Sequence, residues 1–189
     1  TRPRLGRPVR RSVLIDRLRG ASRWDVLIVG GGATGLGCAV DAAARGHTTL
    51  LLEAHDFAKG TSSRSTKLIH GGVRYLAQGR IGLVREALAE RSPLLANAPH
   101  LVHPQGFVVP VYRQWDRLLL GLGLAAYDWL AGRHSLGASR LLSPTETVAA
   151  LPTVRRHGLV GGIAYMDARF DDARLAVTLM RTLFDHGGL

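Results

Sequence analysis

Gly30-x-Gly32-x-x-Gly35 follows directly on the run Trp24-Asp25-Val26-Leu27-Ile28-Val29, and an Ala-rich stretch, Leu36 to Arg45, comes next. In that setting each glycine has a physical task. The first permits a tight turn, the second lets the backbone approach a pyrophosphate, and the third lets a helix pack closely against a strand. The helix amino terminus then offers unpaired N–H groups and a partial positive charge to phosphate oxygens. Glu53 ends the next β-branched and leucine run, Thr48 to Leu52. A carboxylate there can accept hydrogen bonds from an adenosine ribose. The chemistry implied is dinucleotide binding. A 2′-phosphate would face Glu53, which disfavours NADP, whereas the motif by itself does not separate NAD from FAD.

The elements that must position these residues are a strand, a glycine turn, a helix ended by Gly46, and a second strand. That order opens a βαβ unit in a parallel sheet. Residues 54–77 are polar and glycine-containing, a loop region with room for short elements. Ile81, Val84, Leu88, Leu94 and Leu95 predict a helix over 82–96 stopped near Pro99. Gly106 to Tyr112 reads as a strand whose Pro110 favours a sheet edge. Between Trp115 and Leu130, the stripe Leu118, Leu119, Leu122, Ala126 and Trp129 is widened almost all round by Leu120, Leu124 and Ala125. This helix is too short, and with Asp128 too polar, to span a bilayer. Core packing is the expected use, with a helix lying at a membrane surface as the alternative. Ser143-Pro144-Thr145-Glu146 has the form of a capping box. Residues 171–185 form another helix candidate, stopped by Gly187-Gly188, with Asp171 as its N-cap and Asp172 favourable in the first turn.

The formal charge of the 189 residues is +11, but residues 1–23 hold eight arginines against Asp16 alone. The excess is therefore concentrated in a tail, expected to be flexible and solvated. An organelle transit segment, or contact with nucleic acid or anionic lipid, are the other uses of such a tail. Cys38 is the single cysteine, so no intrachain disulfide or cysteine-built metal site exists. Asp167, Asp171 and Asp172 raise the idea of a metal cluster, but helix capping accounts for the last two. No H-E-x-x-H pattern, phosphate-loop lysine motif, G-x-S-x-G elbow or zinc-finger spacing occurs. Metalloprotease, nucleotide-triphosphatase, serine-hydrolase and zinc-module readings fall accordingly.

One stretch carries more than composition. Thr61-Ser62-Ser63-Arg64-Ser65-Thr66-Lys67-Leu68-Ile69-His70-Gly71-Gly72-Val73-Arg74-Tyr75-Leu76 closely resembles a segment of the FAD-dependent glycerol-3-phosphate dehydrogenases. The glycine unit and Leu52-Glu53-Ala54-His55-Asp56-Phe57 resemble that family in register. So do Glu86 to Arg91, Ala98-Pro99-His100-Leu101, Tyr165-Met166-Asp167 and Phe170-Asp171-Asp172-Ala173-Arg174-Leu175. The match runs from about Asp25 to Gly188, and residues 1–23 are expected to have no counterpart.

The resemblance implies an α/β fold: a Rossmann-like FAD-binding domain of glutathione-reductase type, with part of a second substrate or cap region. The expected division is a tail over 1–23, the βαβ unit and flavin-contact loops over 24–104, part of the cap over 105–164, and a return to the FAD-binding domain over 165–189. FAD is the implied cofactor. Gly30, Gly32, Gly35 and Glu53 would hold its dinucleotide part, and Ser62, Ser63, Lys67, Leu68 and His70 would lie around the flavin. Arg74 matches an active-site arginine, where a guanidinium can meet a phosphate with planar, charge-assisted bonds. Other roles stay open for some of these: a surface ion pair for Arg74, loop ordering for His70, and a carboxylate anchor for Lys67.

The implied activity is oxidation of sn-glycerol 3-phosphate to dihydroxyacetone phosphate, with electrons passed to quinone. The family's catalytic base and further phosphate-binding groups come from sequence beyond a region of this length, so the isolated stretch is expected to be inactive. The implied partners are the substrate, the quinone, a membrane surface bound peripherally and a second copy in a homodimer. The implied location is the inner face of the cytoplasmic membrane, with a mitochondrial one left open. The alternatives are another FAD oxidoreductase or oxidase, and a non-catalytic nucleotide- or nucleic-acid-binding module. Nucleic acid is disfavoured because the chain beyond its tail has no such motif.

Overall fold

The computed structural model describes residues 10–21, 23–69, 71–76 and 78–189, with only the backbone of Val73 and Arg74. The first elements in chain order are α1 (Arg11–Gly20), β1 (Val26–Val29), α2 (Ala33–Ala44), β2 (Thr49–Leu52) and α3 (Thr61–Arg64). Then come β3 (Leu68–Ile69), α4 (Val73–Leu76), α5 (Ile81–Asn97), β4 (Val102–Val111) and α6 (Gln114–Ala131). The chain continues through β5 (Arg140–Leu142), α7 (Pro144–Ala150), β6 (Gly161–Phe170) and α8 (Asp172–Asp185). Two compact units result: the described residues up to Thr66 with Asp171–Leu189, and Lys67–Phe170.

In the first unit β1 and β2 pair in parallel, Val26 opposite Thr49 through to Val29 opposite Leu52. Parallel strands need a crossover, and α2 supplies it. Leu36, Ala39 and Ala43 recur on one face of α2 and are buried with Leu51, Ala58, Ala176 and Leu183. Their spacing follows the helical period, and the small alanines let α2 and α8 lie close. Both helices end in the same way. Gly46 and His47 donate to the carbonyls of Ala43 and Ala42, and Gly187 and Gly188 donate to those of Phe184 and Leu183. This double closure satisfies the last turn of each helix. Leu189 then bonds with Thr49 and Leu51 on the side of β2 away from β1. Asp171 caps α8 by accepting from the Arg174 amide at 3.0 Å, and Ser65 donates to the buried Asp172.

The expectation for residues 1–23 meets a difference here, since Arg11–Gly20 is helical. Leu14, Ile15 and Leu18 line a hollow with Met180 and Phe184, and Arg17 donates to the Gly187 carbonyl at 2.9 Å. Three apolar residues at helical spacing gave α1 a face to bury, which the surrounding arginines disguised in the sequence.

The second unit is an antiparallel sheet built on β6. The ten-residue β4 pairs with it throughout, from Val102 opposite Phe170 to Val111 opposite Gly161. β3 and β5 pair with β6 as well. β4 lies at one edge of the β3-β6-β4 order, where Pro104 and Pro110, lacking N–H groups, are tolerated. β6 itself was not foreseen: Gly161-Gly162 and the charged Asp167 and Arg169 blur its alternation. The core here contains Val84, Leu88, Val111, Leu124, Tyr127, Ala131 and Ile163.

α6 corrects the expectation that its apolar stripe is core. Trp115, Leu118, Leu119, Leu122 and Trp129 are 69%, 55%, 59%, 64% and 81% exposed. The buried face is instead Leu124, Tyr127 and Ala131. When a helix is apolar nearly all round, periodicity cannot say which face turns inward. At α7 the capping box forms as expected: Ser143 accepts from the Glu146 amide at 3.2 Å, and Glu146 accepts from the Ser143 amide at 2.7 Å.

Candidate functional site

The glycine turn sits where β1 hands over to α2. Gly30, at φ +112°, occupies backbone space that only glycine enters readily, and its amide donates to the Leu52 carbonyl at 2.8 Å. This bond locks the turn to the end of β2. A Cβ on Gly35 would overlap the Gly30 carbonyl oxygen and stand 3.4 Å from Ile28 Cγ2. The third glycine is thus required by helix–strand contact. Gly32 differs. It caps α2 with extended dihedrals and no side-chain bond, and a Cβ there would meet nothing within 4 Å. The chain itself leaves that space open beside the helix amino terminus, as a pyrophosphate cradle needs.

Glu53 is bound to the turn directly. Its Oε2 accepts from the Gly31 amide at 2.6 Å and its Oε1 from the His55 amide at 2.8 Å. Those two N–H groups, Gly31 first, hold its carboxyl below the usual carboxylate range. A carboxylate oxygen has more than one acceptor direction, so each can still receive a ribose hydroxyl. Gly31 is a site residue that the three-glycine pattern did not single out. A Cβ there would come within 2.6 Å of the Phe57 ring and 3.1 Å of Glu53 Cβ. The signal was the unbroken Gly30-Gly31-Gly32 run.

The turn continues into the serine segment. The Gly31 carbonyl accepts from the Ala58 amide at 3.0 Å, and the Ala58 carbonyl accepts from the Ser63 hydroxyl at 2.5 Å. Within this unit, then, Glu53 and Ser63 are hydrogen-bonded, through Gly31 and Ala58, to the turn that holds Gly30, Gly32 and Gly35, and Ser62 lies beside Ser63 in α3. The donor set suits a dinucleotide: backbone N–H groups for phosphate, a fixed carboxylate for ribose, and, among the described residues, no side chain within 4 Å of a Cβ on Gly32.

In the second unit Lys67 adopts φ +62°, and its carbonyl accepts from the Phe170 amide at 3.0 Å. Leu68 pairs with Arg169 in the β3–β6 ladder. His70 lies outside the described residues. Arg74 is in α4, and its side chain is not among those described. Between them Gly71 is buried, and a Cβ on it would overlap the Tyr127 hydroxyl.

A buried charge pair underlies this segment. Arg91 Nη1 donates to Asp167 Oδ1 at 2.7 Å, with both side chains almost wholly buried. Asp167 Oδ2 accepts from the Gly71 amide at 3.1 Å and from the Tyr127 hydroxyl at 3.3 Å. Arg91 Nη2 donates to the His134 carbonyl at 2.7 Å. Burial, and then the charge of Asp167, push the Tyr127 phenol well above its ordinary value, so it stays protonated as a donor. Arg91 and Asp167 fall within the family-like stretches, but nothing local in the sequence marked them as partners. Among the described residues no cluster of His, Cys, Asp and Glu could hold a metal ion. None of their helices is long and apolar enough to cross a membrane.

Comparison with known proteins settles the family. The model described as FAD dependent oxidoreductase (DAO) matches residues 25–189. The chain belongs to that family. It is 43% identical to the mitochondrial glycerol-3-phosphate dehydrogenase of Rattus norvegicus, over 95% of this chain and 26% of the relative. It is 45% identical to glycerol-3-phosphate dehydrogenase 2 of Mycobacterium bovis, over 96% of this chain and 31% of the relative. The chain therefore spans about a quarter to a third of these relatives, and coverage of 95–96% of this chain takes in most of residues 1–23, against the expectation that they have no counterpart. The glycerol-3-phosphate dehydrogenase of Bacillus halodurans complexed with FAD superposes with a TM-score of 0.62 at 32% identity, covering 88% of this chain and 26% of that one. The FAD-bound L-alpha-glycerophosphate oxidase of Mycoplasma pneumoniae, at 20% identity and a TM-score of 0.69, covers 87% and 43% and shares the fold. The fold class expected from the sequence, a Rossmann-like α/β FAD-binding fold with an associated substrate or cap region, is the one found.

Proposed function

We propose that this chain is the flavin-binding part of an FAD-dependent glycerol-3-phosphate dehydrogenase, which oxidises sn-glycerol 3-phosphate to dihydroxyacetone phosphate and passes the electrons to quinone. The observation that carries the proposal is the Gly30–Gly35 turn with Glu53 bonded to it, in a chain 43–45% identical to such dehydrogenases along nearly its whole length.

The turn at Gly30, Gly32 and Gly35, with the α2 amino terminus, binds the pyrophosphate. Glu53 orients the adenosine ribose. Ser62, Ser63, Lys67, Leu68 and His70 contact the flavin, and Arg74 meets the substrate phosphate. FAD, when bound, supplies the redox chemistry as acceptor of the electrons leaving C2 of the substrate. The protein's share is orientation: the guanidinium of Arg74 fixes the phosphate end and thereby the position of C2.

The exposed face of α6 supports peripheral membrane contact. Trp115, Leu118, Leu122 and Trp129 form an apolar surface, with exposed Arg113 and Arg133 near its ends to meet anionic headgroups. The same surface suits an enzyme whose acceptor is a lipid-dissolved quinone.

The test uses purified full-length protein. A flavin absorption spectrum, FAD release on denaturation, and glycerol 3-phosphate oxidation with quinone or dye acceptors are the expected results. Stoichiometric NAD without flavin would overturn the cofactor assignment. An FAD-replete protein inert toward glycerol 3-phosphate with quinone, dye and oxygen would overturn the substrate.

A further inference from the structure

The Arg91–Asp167 pair is an expensive way to hold a core together. Removing two charges from water offsets much of their attraction, and well-packed apolar residues of similar volume are often as stable or more so. The apolar cluster of Val84, Leu88, Val111, Leu124 and Ile163 already packs the unit around it. What an apolar pair cannot supply is a directed acceptor for the Gly71 N–H.

That acceptor is the distinctive feature of the arrangement. Asp167 Oδ1 is occupied by Arg91 Nη1 and by the Ala168 amide at 3.0 Å, which leaves Oδ2 facing Gly71 and Tyr127. Arg91 is itself fixed by its second nitrogen on the His134 carbonyl. Gly71 is held from two sides, by the Asp167 bond at its nitrogen and by close packing of Tyr127 and Leu88 at its Cα. One residue later Gly72, at φ +79°, starts α4 by accepting from the Tyr75 amide at 2.7 Å. The anchored amide therefore stands three residues before Arg74, at the start of the turn that carries it.

We infer that Asp167 is a positioning residue, which acts through the Gly71 amide, with Arg91 and Tyr127 orienting it, to fix the placement of the segment that carries Arg74. The inference rests on the assignment of Arg74 to the substrate phosphate. Its role is distinct from general stability: the carboxylate sets where a ligand-binding segment lies.

The test combines amide hydrogen exchange with kinetics on full-length, FAD-loaded protein. In the wild type, the Gly71 amide should exchange at least a hundredfold more slowly than an exposed loop amide. Exchange at loop rates would overturn the inference without any variant. The double variant Arg91→Met with Asp167→Leu removes both charges together. The expected result is a folded protein that retains FAD, with a Tm lowered by the unpaired Gly71 N–H and His134 carbonyl, at least tenfold faster exchange across 71–76, and at least a tenfold loss in kcat/KM for glycerol 3-phosphate, carried mainly by KM. A stable double variant with wild-type exchange and kinetics would show that the pair is only structural. Should the double variant fail to fold, Arg91→Gln with Asp167→Val, which keeps a neutral donor for the His134 carbonyl but no acceptor for the Gly71 N–H, is read by the same exchange measurement. Unchanged Gly71 protection in that variant would also overturn the inference. If the wild type does not oxidise glycerol 3-phosphate, the functional proposal fails while the exchange result still decides the role of Asp167.

Discussion

Replacing Gly32 by alanine separates the chain's own needs from those of its cofactor. At φ −83° and ψ near 180° the backbone is open to alanine, and the added methyl meets no atom within 4 Å. Losing glycine's freedom in the unfolded chain stabilises by about 0.4–1 kcal/mol at a compatible site. Alanine is a poorer N-cap than glycine, at a cost of about 0.5–1 kcal/mol. The two nearly cancel, so apoprotein stability should stay within about 0.5 kcal/mol of wild type. FAD binding should not. A methyl intruding on the pyrophosphate forces overpacking of about 1–3 kcal/mol, roughly a five- to 150-fold rise in Kd. Gly35→Ala is the companion: its methyl overlaps the Gly30 carbonyl oxygen and lies 3.2 Å from the carbonyl carbon. That variant should lose about 1–3 kcal/mol of apoprotein stability. The assays are urea unfolding of apoprotein and titration of FAD by its fluorescence. Unchanged FAD affinity in Gly32→Ala would refute the pyrophosphate assignment, and a destabilised Gly32→Ala apoprotein would refute the open-space argument.

Three further outcomes are expected. Arg74→Ala should lower kcat/KM for glycerol 3-phosphate by about 1.5–3 kcal/mol while FAD content holds, with partial rescue by lysine; an equal proportional loss on unphosphorylated glycerol would contradict phosphate recognition. Glu53, whose folded-state pKa is depressed by the Gly31 and His55 amides, contributes stability that is complete above its unfolded value of about 4.3 and is lost as pH falls through the lower folded value. Acid titration of stability should therefore flatten below about pH 4.3 in Glu53→Gln, and an unaltered pH profile would count against the bond. On α6, Leu124→Ala should cost about 2–5 kcal/mol, whereas Trp129→Glu should leave Tm nearly unchanged and reduce association with anionic liposomes; unfolding by Trp129→Glu would contradict the exposed face.

The parts of the structure legible in the sequence are those whose physics is local. Strand, glycine turn and helix around Gly30, the capping box at Ser143 and the N-cap at Asp171 are each specified within a few neighbouring residues. What was not legible depends on residues far apart. Which face of α6 turns inward is decided by Val84, Val111 and Ile163, and β6 is held by pairing with β4 across a long connection. Arg91 and Asp167 meet only once α5 and β6 have docked. α1 was hidden because Arg11, Arg17 and Arg19 are interspersed with the three apolar residues that give it a face. For the proposed site, the glycines and Glu53 were singled out by spacing. The roles proposed for Ser62, Ser63, Lys67, Leu68, His70 and Arg74 rest on family resemblance.

Under the proposed function a flavin held by this chain takes electrons from a phosphorylated polyol, and anaerobic reduction by substrate is the sharpest check of that transfer. Full-length, FAD-loaded protein is mixed without oxygen or any acceptor with sn-glycerol 3-phosphate, and in parallel with unphosphorylated glycerol. Rapid bleaching of the flavin absorption band by glycerol 3-phosphate is expected, with dihydroxyacetone phosphate formed in equal amount, and little or none with glycerol. A flavin that stays oxidised with glycerol 3-phosphate but bleaches with an amine or another hydroxy compound would contradict it.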